Sequence, residues 1–198
     1  MAKNQMFRQD KKDEFYTILA KKSGYPARSV YKLKEIDKKY KIFKKGDRVL
    51  DLGCSPGSWL LYISQKIGQQ GKVIGVDLEQ IKIPQKANIA FTQRNIFDLK
   101  GSDFKNKFAA VVSDLAPKTS GHQVLDTVKS MELAEKSLEI AKSVLLLGGN
   151  FVCKLFENES TNDFFKKVKN CFAFTKRYRP QAVSKKSKEL YIIGQKFI

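Results

Sequence analysis

Cysteine and histidine are scarce in this sequence, which limits the metal and redox chemistry it supports. The three cysteines are Cys54, Cys153 and Cys171, and no two of them form a C-x-x-C pair. The single histidine, His122, belongs to no motif that we recognise. This pattern is typical of reduced thiols in a cytosolic protein, and it predicts neither a zinc site nor a disulfide framework. We therefore expect no metal site.

Long apolar runs are also missing. No stretch approaches the roughly 18 apolar residues that would suggest a membrane span, and the N-terminus lacks the apolar core of a signal peptide. We expect a cytoplasmic protein without membrane contact, or an organellar one if the source is eukaryotic. With 198 residues, of which 42% are hydrophobic, the chain suits one α/β domain and is short for two. We expect a monomer.

Acidic residues are the third deficit. The 20 Asp and Glu residues face 38 Lys and Arg residues, which gives a formal net charge of +18. A surface this positive favours a polyanionic partner, with RNA or DNA first among the candidates. A lysine-rich proteome would produce the same excess, because Lys far outnumbers Arg here, so charge alone leaves the partner open.

What is present centres on residues 48–59, RVLDLGCSPGSW. An apolar run ends in Asp51 and a glycine-bearing loop, and an amphipathic segment follows immediately. Strand, tight glycine turn and helix open a doubly wound α/β domain, whose ligands bind beyond the carboxyl ends of the strands. The loop matches neither G-x-G-x-x-G nor a P-loop, so the usual dinucleotide and triphosphate fingerprints are absent.

A second acid supports a nucleoside ligand. The segment KVIGVD ends in Asp77, about 20 residues after the glycine loop, the spacing at which an acid reaches a ribose diol. S-adenosylmethionine is a common nucleoside cofactor without a pyrophosphate, and it fits both features. The alternative is that Asp77 is only a polar residue at the end of a strand.

Alternating strand and helix patterns predict five parallel strands followed by two strands that form an antiparallel hairpin. We expect a long helix over residues 124–147, ended by Gly148 and Gly149, and a fifth strand over residues 150–154. This predicts an α/β fold with a mostly parallel sheet and an antiparallel last strand. No repeat or internal domain boundary interrupts it; residues 1–27 form a basic arm or short helix, and residues 28–198 form a single domain.

The carboxyl ends of these strands bring several charged residues to one edge of the sheet. They are Asp51, Asp77, Asp114 and Lys154, with Glu189 placed there by the antiparallel last strand. The basic loop with Lys185 and Lys186 is expected beside them. Burial would lower the pKa of a strand-end lysine such as Lys154 and suit it to act as a general base, whereas nearby acids would oppose that shift. A purely structural ion pair between Lys154 and Asp114 remains the alternative.

Five separated segments, in this order and spacing, resemble one family. RSVYKLKEID, VLDLGCSPGSW, VVSDLAPKTSG, GGNFVCKLF and SKELYIIG are similar to the FtsJ/RrmJ family of RNA ribose 2′-O-methyltransferases. The likeness runs from residue 28 to the C-terminus. It implies a Rossmann-like methyltransferase fold with seven strands, helices on both faces of the sheet, and S-adenosylmethionine as the cofactor.

The resemblance also assigns residues. The family's catalytic Lys-Asp-Lys-Glu tetrad corresponds to Lys32, Asp114, Lys154 and Glu189. Its cofactor contacts correspond to Gly53, Gly57, Trp59, Asp77, Asn95 and Asp114. The position of Asn95 is commonly Asp in the family, so either Asn95 or the nearby Asp98 is expected to meet the adenine.

The implied reaction is methyl transfer to a ribose 2′-hydroxyl, with Lys154 as general base, on a uridine of large-subunit (23S-type) ribosomal RNA. Transfer to the anticodon loop of transfer RNA would use the same motifs, and a non-catalytic RNA-binding assembly factor would keep the same fold. The basic residues of the arm, of residues 28–40 and of residues 179–188 are expected to form the RNA face.

Overall fold

The computed structural model describes residues 2–118, 121–184 and 187–198, with side chains described from residue 12 onward. Within these residues, five α-helices, seven strands and two 3₁₀ turns form one α/β structure. No helix among them is long and apolar enough to cross a membrane. In chain order the elements are α1 (Ala2–Lys22), α2 (Val30–Tyr40), β1 (Arg48–Leu52), α3 (Ser58–Ile67), β2 (Lys72–Asp77), β3 (Ile89–Gln93), the 3₁₀ turns Ile96–Asp98 and Gly101–Asp103, β4 (Phe108–Ser113), α4 (Gln123–Val144), β5 (Leu145–Phe156), α5 (Thr161–Lys169), β6 (Phe172–Tyr178) and β7 (Glu189–Phe197).

The seven described strands form one sheet in the order β3-β2-β1-β4-β5-β7-β6. Strands β1 to β5 are parallel to one another. Strand β7 runs antiparallel to both β5 and β6. The order reverses beside β1, between β1 and β4, which is where ligands bind in such sheets. The predicted fold class and the reversed last strand are confirmed.

Apolar side chains cover both faces of the sheet. On one face, α2 and α3 bury residues such as Leu33, Ile36 and Ile63 against β1, β2 and β5. On the other face, α4 and α5 bury residues such as Ala141 and Phe164. Because the central strands are covered on both sides, they read as near-continuous apolar runs in the sequence.

The predicted helix over residues 124–147 ends three residues too late. Helix α4 ends at Val144, and Leu145–Phe156 is one strand. The reason is tertiary, because Leu145 pairs with Phe108 at the start of β4 and the ladder resumes at Asn150. Gly148, at a φ of 79°, therefore lies in an irregularity within a strand and does not end the helix.

Helix α2 is held at its end by a buried carboxylate. Asp37 Oδ1 accepts hydrogen bonds from the backbone N–H groups of Ile42 and Phe43, at 3.0 and 3.2 Å. The Tyr62 hydroxyl donates to Asp37 Oδ2 at 2.7 Å. These contacts fix the direction in which the chain leaves α2, and therefore the position of the helix over the sheet.

Candidate active site

The glycine loop between β1 and α3 packs tightly against the loop that follows β4. Gly53 has a φ of 80°, and a Cβ built there would lie 2.8 Å from the Leu115 side chain. The next turn is fastened to β2, because the Ser55 N–H donates to Asp77 Oδ2 at 2.8 Å. Asp77 Oδ1 accepts from Glu79 N–H at 2.9 Å. Backbone at this position therefore lies close to the end of β2, as a nucleoside-binding loop requires.

A cleft of about 680 Å³ opens between these loops at the carboxyl ends of β1, β2 and β4. This volume falls within the range of small-molecule sites. Four of the six residues predicted to contact the cofactor line it, namely Gly53, Asp77, Asn95 and Asp114.

Gly57 and Trp59 are not among the lining residues. Gly57 precedes α3 at a φ of 110°, where a Cβ would lie 2.6 Å from the Ile83 side chain. The Trp59 indole is buried, donates to the Ser29 carbonyl at 3.0 Å, and lies 6.2 Å from the ring of Tyr191. The structure thus places Trp59 between α2 and the charged residues of the rim, and Gly57 in the support of the loop.

Of the two residues that the sequence offered as the contact to the adenine, Asn95 lies at the cleft and Asp98 does not. Asn95 lines it and accepts a hydrogen bond from Phe97 N–H at 3.1 Å. Asp98 lies in the 3₁₀ turn, is exposed, and is absent from the lining.

Beside the cleft, the ends of β4 and β5 hold a buried ion pair. Lys154 Nζ lies 3.0 Å from Asp114 Oδ1 and donates to the Asp114 carbonyl at 2.5 Å. The Lys154 side chain is only 7% exposed. Burial alone would raise the pKa of the Asp114 carboxyl, but Lys154, Lys32 and the Tyr191 hydrogen bond together lower that pKa below its ordinary value.

A second ion pair joins α2 to the start of β7. Lys32 Nζ lies 2.7 Å from Glu189 Oε1 and 2.9 Å from Glu189 Oε2. The side chains are 16% and 11% exposed. The structure therefore brings together all four residues of the predicted tetrad, which are separated by up to 157 positions in the chain.

Tyr191 connects the two ion pairs, and the sequence analysis gave it no role. Its hydroxyl lies 2.8 Å from Asp114 Oδ1 and 2.7 Å from Glu189 Oε1. A phenol has one proton, so it donates to one carboxylate at a time. Burial and the two acids raise the pKa of Tyr191 well above its ordinary value, which keeps the phenol protonated. The available signal was strand alternation, since Tyr191 lies two residues after Glu189 and shares its face of β7.

Asp51, at the end of β1, is a fully buried acid with no described hydrogen-bond partner for either carboxylate oxygen. Burial, Asp114 and Asp77 raise its pKa well above the ordinary value. Buried polar atoms are rarely left unsatisfied in native proteins. Asp51 is not among the residues that line the cleft, whereas Gly53, two residues further along the chain, lines it.

The basic loop predicted at the rim is only partly described. Lys185 and Lys186 lie outside the described residues, as do Thr119 and Ser120 of the segment VVSDLAPKTSG. Ser187 and Lys188 are described and line a small pocket of about 160 Å³ with the start of α4.

A seven-stranded sheet with a reversed last strand and a nucleoside-sized cleft at its switch point defines a Rossmann-like methyltransferase. The family model of the FtsJ-like methyltransferases matches residues 25–197. The chain therefore belongs to the FtsJ-like methyltransferase family, as the sequence predicted.

Curated relatives and solved structures agree with this assignment. The chain is 45% identical over 184 residues to ribosomal RNA large subunit methyltransferase E of Desulfatibacillum aliphaticivorans, covering 91% of this chain and 89% of that protein. It is 42% identical to the protein of that name from Bdellovibrio bacteriovorus, covering 91% and 95%. A crystal structure of a ribosomal RNA methyltransferase from Plasmodium falciparum superposes with a TM-score of 0.76 at 27% identity, covering 87% and 98%.

S-adenosylmethionine, the cofactor of this family, fits the residues present. Asp77, at the end of β2, lines the cleft, and each of its carboxylate oxygens keeps a second lone pair that a ribose hydroxyl would use. Asn95 lines the same cleft, and its amide would be able to hydrogen-bond the edge of an adenine. The ammonium group of the methionine moiety is a cation, and Asp114, a cleft-lining acid whose pKa is lowered, carries the opposite charge.

Proposed function

We propose that this protein transfers a methyl group from S-adenosylmethionine to a ribose 2′-hydroxyl of large-subunit ribosomal RNA, on a uridine. The observation that carries this proposal is the pair of ion pairs, Lys154–Asp114 and Lys32–Glu189, joined by Tyr191 beside the cofactor cleft. The names of the relatives support ribosomal RNA of the large subunit as the substrate.

Lys154 acts as the general base in this proposal. In its neutral form the amine has two N–H groups and one lone pair. The Asp114 carboxylate and carbonyl are placed to accept the two N–H groups, which leaves the lone pair for the proton of the 2′-hydroxyl. Such proton transfer contributes typically about 10²–10⁴-fold to the rate.

The other three residues orient the nucleophile. Asp114 holds the Lys154 amine, and Lys32 presents a positive charge to the phosphate next to the ribose. Glu189 fixes Lys32 and accepts from ribose hydroxyls. When bound, S-adenosylmethionine would supply an electrophilic methyl group on a sulfonium, and loss of that methyl would convert the sulfonium into the neutral thioether of S-adenosylhomocysteine. Holding the hydroxyl close to that methyl accounts for much of the remaining acceleration.

Two substitutions at Lys154 test the base. Lys154→Ala removes the amine, and Lys154→Arg keeps a positive charge but does not deprotonate in proteins. We expect both to lose methyl transfer by at least about 100-fold, with cofactor affinity by calorimetry unchanged. If Lys154→Arg retained activity, Lys154 would act through charge and not as a base.

The substrate is tested with labelled cofactor and separated pools of large-subunit RNA, small-subunit RNA and transfer RNA from cells lacking the protein. We expect label in the large-subunit RNA, and mapping of the methylated nucleotide to a uridine. Label in transfer RNA alone would establish the anticodon-loop alternative. A protein that bound no cofactor would instead be an assembly factor.

The same proposal divides the surface and places the protein in the cell. Residues 1–27, with helix α1, form a basic arm attached to the methyltransferase domain of residues 28–198. The arm, α2 and residues 179–188 face the RNA, since phosphate contacts supply much of the affinity of such interfaces. The protein acts as a monomer in the cytoplasm, without membrane contact.

A further inference from the structure

One helical turn beyond Lys32, a second contact joins helix α2 to the last residue of β6 and to the chain that follows it. The Tyr178 hydroxyl donates to Glu35 Oε1 at 2.5 Å. The Gln181 N–H donates to Glu35 Oε1 at 3.0 Å and to Oε2 at 2.8 Å. The sequence analysis gave Glu35 no role.

The segment of residues 179–188, of which residues 179–184, 187 and 188 are described, also has contacts with the domain that do not involve Glu35. Arg179 Nη2 lies 3.0 Å from Glu157 Oε2, and Arg179 Nη1 donates to the Ser187 carbonyl at 2.5 Å. Glu157 N–H donates to the Lys188 carbonyl at 2.8 Å. Between these points, Ala182 and Val183 are buried. The described part of the segment is therefore packed against the domain, with Glu35 as its attachment to α2.

A carboxylate at position 35 is unexpected, because the surrounding face of α2 is basic and is expected to contact phosphates. Both oxygens of Glu35 receive O–H or N–H donors from the segment, and hydrogen bonds to a charged group are stronger than neutral ones. The negative charge of Glu35 is therefore stabilised by hydrogen bonds from within the protein. Its effect is to set the position of the segment, which leads directly into Glu189, relative to the helix that carries Lys32.

We propose that Glu35 is a positioning residue for RNA: it holds Tyr178 and Gln181 against α2. The exposed Lys38 and Lys39 of α2 and the exposed Lys188 then keep a fixed spacing for the RNA. This inference rests on the proposed function. Because Glu35 lies outside the cofactor cleft, its loss weakens RNA binding and leaves cofactor binding intact.

The test uses Glu35→Ala, Glu35→Gln and the control Glu139→Gln. Glu139 is an exposed acid on α4 whose partner is Lys136. An unmodified transcript of large-subunit RNA is the probe for RNA affinity and KM, and calorimetry gives the affinity for S-adenosylmethionine. We expect Glu35→Ala to raise the RNA Kd and KM about tenfold, with kcat changed less than about threefold.

Glu35→Gln keeps one carbonyl acceptor, and we expect it to restore most of the loss. A double-mutant cycle adds a second readout, in which Tyr178→Phe weakens RNA binding in the wild-type background and adds little to Glu35→Ala. Cofactor affinity and the control variant should match wild type. An RNA Kd for Glu35→Ala within twofold of wild type, or a parallel loss of cofactor affinity, would overturn the proposal. RNA binding needs no methyl transfer, so an inactive wild-type protein would count against the proposed function separately.

Discussion

The hydroxyl of Tyr191 and the carboxylate of Asp114 lie 2.8 Å apart, although 77 positions separate them in the chain. Tyr191 lies near the start of β7, and Asp114, which follows β4, also pairs with Lys154 of β5. The contact therefore connects β7 to the lysine of β5 through Asp114. It links the two ion pairs of the site into one hydrogen-bonded network, so a change in charge at one carboxylate alters the hydrogen bonding of the other.

Tyr191→Phe tests whether that unit acts as a whole. The change removes one hydroxyl and leaves two buried carboxylates without their shared donor. We expect a loss of about tenfold in kcat/KM, equivalent to about 1.4 kcal/mol of transition-state stabilisation. Steady-state kinetics with saturating cofactor measures this loss, and Tyr25→Phe, which removes a hydroxyl that donates to Gln65 on α3 at 2.8 Å, is the control. Wild-type kinetics in Tyr191→Phe would show that the ion pairs act separately.

Asp114→Asn should change how stability depends on pH. The pKa of Asp114 is lowered in the folded protein, so its contribution is present above the unfolded-state pKa and is lost as pH falls through the folded-state pKa. We expect Asp114→Asn to cost about 3 kcal/mol at pH 7, because buried Lys154 loses its counter-charge. The cost should shrink in acid, where the wild-type carboxyl is protonated.

Urea unfolding between pH 3 and pH 7 measures this difference. Asp163→Asn is the control, since Asp163 and Lys166 form an ion pair that is largely exposed. A difference between Asp114→Asn and wild type that stayed constant with pH would contradict the assignment of charge to Asp114.

Asp51→Asn should have the opposite pH dependence and a second effect on the cofactor. The pKa of Asp51 is raised in the folded protein, so its contribution is present below the unfolded-state pKa and is lost as pH rises. The neutral amide of the introduced asparagine has no such loss of stability with pH. We therefore expect the cofactor-free variant to be about 1–2 kcal/mol more stable than wild type at pH 8.

The same variant should bind S-adenosylmethionine at least about tenfold more weakly, because the positive ammonium group would favour the ionised form of Asp51 and the amide cannot ionise. Calorimetry and urea unfolding on one preparation measure both quantities. Unchanged cofactor affinity would show that the orphaned oxygens serve another purpose.

Charge reversal at Lys38 and Lys39, both exposed on α2, should weaken RNA binding. Each phosphate contact contributes about −0.7 to −0.9 to the slope of log affinity against log salt, so losing two contacts flattens that slope by roughly 1.5. Filter binding over a salt series measures it. Reversal of Lys166, exposed on α5 on the opposite face of the sheet, should have little effect, and an equal effect there would indicate non-specific attraction.

Some features of the site were readable in the sequence because their cause is local. The strand, glycine turn and helix at residues 48–59 form a continuous segment. The common direction of the parallel strands predicted that Asp77, Asp114 and Lys154 lie at one edge of the sheet. Other features depend on neighbours that are remote in the chain. Leu145 continues a helical apolar stripe, yet it is a strand residue because Phe108 pairs with it.

The sequence by itself determined the family, the fold class and the set of charged residues at the carboxyl edge, since strand direction and strand ends follow from short-range patterns. Only the tertiary structure decided which residues touch. In the folded chain, Lys32 pairs with Glu189, and Tyr191 lies between the two ion pairs. Trp59 is buried behind the cleft, and Glu35 of α2 is hydrogen-bonded to Tyr178 and Gln181. The physical reason is that hydrogen bonds and ion pairs act over about 3 Å, and no periodicity in the sequence specifies which distant side chains come within that distance.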